Sequence, residues 1–459
     1  MKHLHSRLCF FLTCWLLSVS TLVTYAQEYQ FTVDAPGFAG SELYIAGYRN
    51  GKALVRDTLQ LDDKGWGVFS GEKPLRQGMY LLWFSKQQFI DFLVEEDQKL
   101  HFQVDTLMHL KLEGAEQSVA FNSYIQFLAE KKQLRTQLLA ETKNGPSEQT
   151  SQLALIDKQV SDYQQELIKR FNNKLLALFI RGSLPVQVPD SIKNKADSEA
   201  VRRYIQHHYW DMLTLSDERI HTFNYFPDKM KEFLNVVVYQ HYDSITQAAI
   251  RLVEQSRGGD EAAFRQVLSA CLNFAAAHKM MGVENLYIQL AQRYYLSGLV
   301  PQADHQLLQD MQFEVSKNQH CLMGMKAYNL RYSNEAAERV QLYDGNADYT
   351  LLYFYDPGCG HCQSFTQSLS AVVEKYTTKG LQLIAFNTRV DAAQWQQFRT
   401  KHPLPKALHG WDPDRKSEFW SYFDTSVTPV IYLLDKHKTI IARKLDATSL
   451  DKLLARLIH

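Results

Sequence analysis

The feature that most constrains this chain is Cys359-Gly360-His361-Cys362, set between the apolar run Thr350–Tyr355 and the stretch Cys362–Tyr376. The run reads as a buried strand. The stretch repeats its apolar positions at helical spacing through Phe365, Leu369, Val372 and Val373. Two cysteines separated by two residues at the start of a helix lie one turn apart and can close a disulfide. Cys359 then sits at the helix N-terminus, where backbone N–H groups and the macrodipole favour a thiolate, the nucleophile of disulfide exchange. Cys362, one turn further in, is expected to be more buried and to resolve the mixed disulfide. His361 can place positive charge beside Cys359.

The pattern beyond this motif alternates. Leu381–Phe386 reads as a second buried strand and Asp391–Lys401 as a second helix. Val430–Leu434 and Thr439–Leu445 form a strand pair joined by Asp435–Lys438, and Leu450–Ile458 closes as a helix. The order β-α-β-α-β-β-α, with Cys-x-x-Cys at the first strand-to-helix turn, specifies a thioredoxin fold over residues 325–459.

Upstream the period differs. Tyr29–Val33, Leu43–Tyr48, Leu54–Leu61, Gly67–Phe69, Met79–Phe84, Phe89–Val94, Leu100–Val104 and Leu110–Leu112 are short runs separated by turn residues, among them Asn50-Gly51, a hairpin signal. They predict an antiparallel β-sandwich over residues 27–114. From residue 115 to 324 the spacing is helical, beginning with Phe121, Tyr124, Ile125 and Leu128 behind Ser118 as an expected N-cap. Further helices are expected at Leu153–Ile180, Ser198–Leu213, Asp228–Glu254, Glu261–His278 and Val283–Ser297, with Asn144-Gly145-Pro146 and Arg257-Gly258-Gly259 as breaks. The whole is a multidomain chain: β-sandwich, all-α region, then α/β.

Residues 1–26 read as a secretory signal: Lys2 and Arg7, the apolar Leu8–Val23, and a small residue, Ala26, before Gln27. A retained signal anchor and a lipoprotein site at Cys14 are the alternatives, the latter with Thr13 poorly placed before it. No other stretch reaches the roughly 18 apolar residues of a spanning helix, so a periplasmic or envelope-associated protein without an integral segment after cleavage is expected. Cleavage leaves Cys271, Cys321, Cys359 and Cys362, too few for a disulfide scaffold. Cys271, in an apolar helical run, reads as a buried small hydrophobe; Cys321 falls in an expected linker, and a disulfide between them stays open. Fifty basic residues against fifty acidic ones, without a Lys/Arg run, argue against nucleic-acid binding.

Residues 325–459 resemble the TlpA/ResA-like branch of thioredoxin-fold thiol–disulfide oxidoreductases. The resemblance is carried by Leu351–Tyr355, Asp356-Pro357-Gly358-Cys359-Gly360-His361-Cys362, Thr428-Pro429 and Val430–Asp435. The full layout is similar to multidomain exported proteins of Bacteroidota, whose β and helical domains have no assigned function. The resemblance implies a cis peptide at Thr428-Pro429, with the Thr428 backbone against the cysteines as a substrate-docking edge. The chain departs from the pattern at three places. Pro357-Gly358 replaces the aromatic residue usual before the first cysteine, Tyr353 stands where thioredoxins bury an acid, and no Glu follows Cys362 closely.

These readings predict an exported oxidoreductase with Cys359 and Cys362 as the redox pair, His361 as tuner, no dissociable cofactor and no metal. Its expected partners are exported proteins with cysteine pairs and an upstream redox partner. A structural disulfide and a metal site are alternative uses of the motif, the latter disfavoured because no second Cys-x-x-Cys exists. His207-His208 reads as a solvated or packed pair, and Trp411-Asp412-Pro413 as a loop of the C-terminal domain. A binding protein with a non-redox thioredoxin scaffold is the rival class: an exposed Cys359 sulfur favours the enzyme, two buried sulfurs the scaffold.

Overall fold

Short runs rich in aromatic and aliphatic residues build the first eight strands: β1 Tyr29–Asp34, β2 Glu42–Arg49, β3 Lys52–Gln60, β4 Trp66–Gly71, β5 Gly78–Ser85, β6 Gln88–Val94, β7 Lys99–Val104 and β8 Leu110–Gly114. All eight expected strands are present in this computed structural model, which describes residues 29–49, 51–140, 146–194, 197–404 and 406–458. The expected signal, Asn50 of the hairpin signal and the Asn144-Gly145 break lie outside the described residues. The strands form two sheets, ordered β4-β1-β7-β8 and β3-β2-β5-β6. Their inner faces share one core, in which Phe92 meets Phe31 and Phe102 edge-on at centroid distances of 5.6 and 5.0 Å.

One pairing departs from the antiparallel expectation. β1 and β7 run parallel, Phe31 opposite Leu100 and Val33 opposite Phe102. Nothing local sets this: the strands are joined through the second sheet, so β7 returns to β1 by a crossover and not by a hairpin.

Contacts divide the chain into two compact units, one taking in residues to Gly47 and Val55–Ser161, the other Tyr48–Leu54 and Asp162–His459. Within the first, helix α1 (Glu116–Ala140) follows the sheets. Ser118 is not its cap. It lies within the helix, its hydroxyl donating to the Leu93 carbonyl, while the start of the helix is held by Glu95, whose carboxylate accepts the Gln117 N–H at 2.7 Å. A carboxylate just past the end of β6 thus satisfies an orphan donor that a local Ser was expected to take.

α2 (Pro146–Arg170) leads into the second unit. There follow α3 Leu175–Ser183, α4 Asp190–Lys193, α5 Ser198–His208, α6 Phe226–Glu232, α7 Tyr242–Gln255, α8 Glu261–Ala277, α9 Glu284–Leu290 and α10 His305–Asn318. The long helix expected over Asp228–Glu254 is two helices. A π-helical turn at Phe233–Val237 ends the first, Val238 is extended, and the His241 side chain caps the restart by accepting the Asp243 N–H.

The C-terminal region contains β9 Arg331–Asn334, β10 Arg339–Gln341, β11 Tyr349–Tyr355, α11 Gly360–Tyr376, β12 Leu381–Asn387, α12 Ala392–Lys401, β13 Leu408–Trp411, α13 Phe419–Tyr422, β14 Val430–Asp435, β15 Ile440–Arg443 and α14 Ala447–Leu457. Its mixed sheet has the order β10-β9-β13-β12-β11-β14-β15. β11 pairs parallel with β12 and antiparallel with β14. It is buried on both faces: Leu351, Tyr353 and Tyr355 pack under α11, α12 and α14, while Leu352 and Phe354 face the opposite layer with Phe419 and Phe423. Full burial of such side chains contributes roughly 1.5–3 kcal/mol each, which makes β11 a rigid platform for whatever follows it.

The helices from α3 onward and this sheet lie in one unit. Cys321 and Met323, upstream of residue 325, belong to the same apolar cluster as Leu352 and Phe354. Arg443 of β15 is buried and donates to the Cys321 carbonyl at 2.6 Å and to the Asn318 side chain. Cys271 and Cys321 are both buried free thiols and do not pair.

Candidate active site

The site is the turn from β11 into α11. Asp356-Pro357-Gly358 carries the chain off the sheet: Asp356 Oδ1 accepts the Gly358 N–H at 2.8 Å and the Asp356 carbonyl accepts the Cys359 N–H at 3.0 Å. This is an Asx turn, the geometry that Asp before Pro-Gly favours. It delivers Cys359 as the N-cap of α11, with φ −87° and ψ 117°.

Cys359 is half-buried and Cys362 is buried, and both are free thiols. The Cys359 sulfur accepts the Cys362 N–H at 3.4 Å, and as a thiol it donates to the Thr428 carbonyl at 3.6 Å. Burial pushes the Cys359 pKa up, but the Cys362 N–H, the Cys362 thiol and the His361 N–H together outweigh it, and the net shift is downward. Cys362 moves the other way: burial dominates and pushes it up to about 11. The two sulfurs are therefore unequal, one reachable and acidified, the other shielded and protonated.

Thr428-Pro429 is a cis peptide. The loop before it is pinned: Asp424 accepts from Ser426 Oγ and Lys444 Nζ, each at 2.6 Å, and its N–H donates to Tyr432 Oη at 2.9 Å. The structure thus brings Thr428 and both cysteines together. His361 is exposed, and the part of it that faces the Cys359 sulfur is its backbone N–H.

Beneath the pair, Tyr353 occupies the place of the acid that thioredoxins bury. Its hydroxyl donates to the Cys362 carbonyl at 3.2 Å and meets Thr366 Oγ1 at 2.8 Å.

Two residues of the site were not anticipated as functional. Asp356 is a carboxylate three positions before Cys359, and Arg389, just past β12, holds its Oδ2 through Nε and Nη2 at 2.6 Å each. Asp356 could have been read from the Asp-Pro-Gly turn; Arg389, 33 residues away, carries no local signal. A cavity of about 400 Å³ adjoins the Thr428 side, lined by Asp356, Thr388, Arg389, Trp420, Ser426 and Thr428 among others. Trp411 ends β13 and stacks on Trp395 at 4.8 Å, while Asp412 is buried and accepts from Ser417, a structural use of that loop. His208 pairs with Asp211 at 2.6 Å.

Residues 346–440 match the model of the family described as Thioredoxin-like. The C-terminal region is a thioredoxin-like domain. Residues 139–318 match a second family, described as a Domain of unknown function, DUF5106. Among solved structures, the chain is similar to a thioredoxin-like protein from Bacteroides caccae, at 18% identity over 60% of this chain and 98% of that one (TM-score 0.44). It is also similar to a domain of a possible thiol-disulfide isomerase from Cytophaga hutchinsonii, at 35% identity over 30% of this chain and 95% of that one (TM-score 0.29). A third likeness is to the thioredoxin domain of a thiol-disulfide oxidoreductase from Bacteroides vulgatus, at 18% identity over 30% and 98% of the two chains (TM-score 0.28). A search of the curated proteins found no match. Among the described residues, no helix is long and apolar enough to cross a membrane.

Proposed function

We propose that the protein is an exported thiol–disulfide oxidoreductase of the TlpA/ResA-like type, which exchanges disulfides with protein substrates through Cys359 and Cys362. The observation that carries this reading is the inequality of the two sulfurs: Cys359 half-exposed at the helix N-terminus with its pKa lowered, Cys362 buried with its pKa raised. The same observation weighs against the scaffold alternative, in which both sulfurs would be buried.

The Cys359 thiolate attacks one sulfur of a substrate disulfide, forming a mixed disulfide and releasing the other substrate sulfur as a thiolate that takes a proton. Cys362 then loses its proton and attacks the Cys359 sulfur. That closes the Cys359–Cys362 bond and releases the second substrate thiol. Two electrons pass to the substrate; run backwards, the steps oxidise a dithiol. A peptide lying along the Thr428 edge presents its sulfur to Cys359, and His361 tunes the balance between the two directions. The β and helical domains recruit the folded remainder of the substrate by raising its effective concentration.

The test is trapping in the exported compartment. Cys362→Ser leaves Cys359 able to attack but not to release, so mixed disulfides with exported proteins should accumulate. Cys359→Ser should trap far fewer. Capture of low-molecular-weight thiols alone would defeat the protein-substrate reading. A native Cys359–Cys362 bond that resists excess dithiothreitol would defeat the redox reading.

A further inference from the structure

The Asp356 carboxylate stands in the turn that carries Cys359, and its negative charge opposes a thiolate there. Yet the carboxylate is not free to move. Oδ1 is tied to the Gly358 N–H, and Oδ2 is met by both Nε and Nη2 of Arg389. Arg389 is in turn fixed at its backbone. Its N–H donates to Asn387 Oδ1 and its carbonyl accepts from Asn387 Nδ2, both at 2.9 Å, with Asn387 buried at the end of β12. Thr388 bonds the Tyr355 carbonyl through its N–H at 2.9 Å and its hydroxyl at 3.0 Å, locking the end of β12 to the end of β11. The Arg389 side chain is 64% exposed and the Asp356 side chain 17% exposed, so the pair adds little to folding stability. Its geometry is instead that of a clamp on a charge beside a reactive sulfur. Nε and Nη2 of the guanidinium converge on Oδ2 while the Gly358 N–H holds the other oxygen, so both carboxylate oxygens are fixed.

We propose that Arg389 is a positioning residue for the dithiol: by holding Oδ2 of the Asp356 carboxylate with two donors it keeps that charge off the Cys359 sulfur and sets the balance between dithiol and disulfide. The inference rests on the oxidoreductase reading above and deepens it. Other charged or titratable groups at this end of the domain include Cys362 and His361 on α11, Tyr353 beneath them, Asp412 and Arg415 lining the same cavity as Asp356 and Arg389, and Asp424, paired with Lys444, in the loop before Thr428. Thr428, before β14, carries no charge.

With Arg389 removed, the carboxylate swings toward Cys359, the thiolate loses stability, and the disulfide form gains. The experiment equilibrates the full chain with glutathione redox buffers and counts free thiols at Cys359 and Cys362 by mass shift after alkylation. Arg389→Gln should move the equilibrium about tenfold toward the disulfide, a potential about 30 mV lower for this two-electron couple. Asp356→Asn should move it toward the dithiol, and Arg389→Lys should recover part of the loss. In an Asp356→Asn background, Arg389→Gln should shift the equilibrium less than twofold, because no carboxylate remains to be released. An unchanged equilibrium in Arg389→Gln, or an equal shift with and without Asp356, would overturn the positioning role. A wild-type chain with no reversible Cys359–Cys362 exchange would overturn the oxidoreductase reading and this inference with it.

Discussion

The Tyr353 hydroxyl, fully buried under the dithiol, lies 2.8 Å from Thr366 Oγ1 and donates to the Cys362 carbonyl. Burial pushes its pKa far above that of an ordinary phenol, so this group holds its proton at any physiological pH. It braces the first turn of α11 and does not relay the Cys362 proton. Tyr353→Phe keeps the ring and its stack on Tyr355 at 5.2 Å and loses only the hydrogen bonds. Stability should fall by about 1 kcal/mol in chemical denaturation, with the pH profile of disulfide exchange unaltered. Loss of an inflection from that profile would give Tyr353 the proton-relay role denied it here.

Alkylation of the reduced, folded chain should be confined to one cysteine near neutral pH. Cys359 is reachable and its pKa is lowered. Cys362 is raised to about 11 and Cys271 to about 12, both by burial. Iodoacetamide at pH 7 should add a single label at Cys359, located by peptide mapping. Cys362 should begin to react only as pH approaches 11, and Cys271 only after unfolding. Labelling of Cys362 at the rate of Cys359 at pH 7 would contradict the inequality of the sulfurs.

His361 offers two distinct contributions, a ring and a backbone N–H, and two substitutions separate them. His361→Ala removes the ring and keeps the N–H; His361→Pro removes both, in a first helical turn where proline fits. If the ring tunes the thiolate, His361→Ala should lower the reduction potential by about 30 mV, equivalent to about 1.4 kcal/mol. His361→Pro should lower it further. An unchanged potential in His361→Ala would leave only the N–H in that role.

A separate pH response belongs to the helical region. His221 is buried, its Nε2 donates to the Leu215 carbonyl at 2.9 Å, and burial pushes its pKa from 6.5 down to about 4. The folded pKa lies below the unfolded one, so the folded state resists protonation. This contribution is complete above about pH 6.5, is lost as pH falls toward 4, and changes no further below that. At about 1.4 kcal/mol per unit the loss is roughly 3 kcal/mol. Urea unfolding at pH 7.5 and pH 4.5 should show a smaller pH dependence in His221→Gln, whose amide can still donate to Leu215. Equal slopes in the two proteins would assign the acid sensitivity to other groups.

The parts of this protein that were legible in its sequence are those whose cause is local. A buried strand, an Asx-type turn, a helix N-cap and a helix are specified within about ten residues each. Leu351–Tyr355, Cys359 and the face of α11 therefore stood where periodicity and helix-end chemistry placed them, and the Asp356-Pro357-Gly358 turn carried a local signal that was there to be read. The eight upstream strands were legible for the same reason. Ser118 misled because a helix start can be satisfied by any nearby acceptor, and Glu95 reaches it from the end of β6. The short strands β9, β10 and β13 escaped because three or four residues carry no period; they are strands only by virtue of their neighbours in the sheet.

Sequence alone determined that a Cys-x-x-Cys pair opens a helix behind a buried strand, since hydrophobic period and helix-end electrostatics act along the chain. Tertiary structure decided what surrounds that pair. Arg389 reaches Asp356 across 33 positions, Thr428 reaches Cys359 across 69, and Arg443 reaches Cys321 across 122. The parallel pairing of β1 with β7 is of the same kind. Such contacts depend on strand order and on which face each strand buries, quantities set by the packing of all the elements together and encoded in no single stretch of residues.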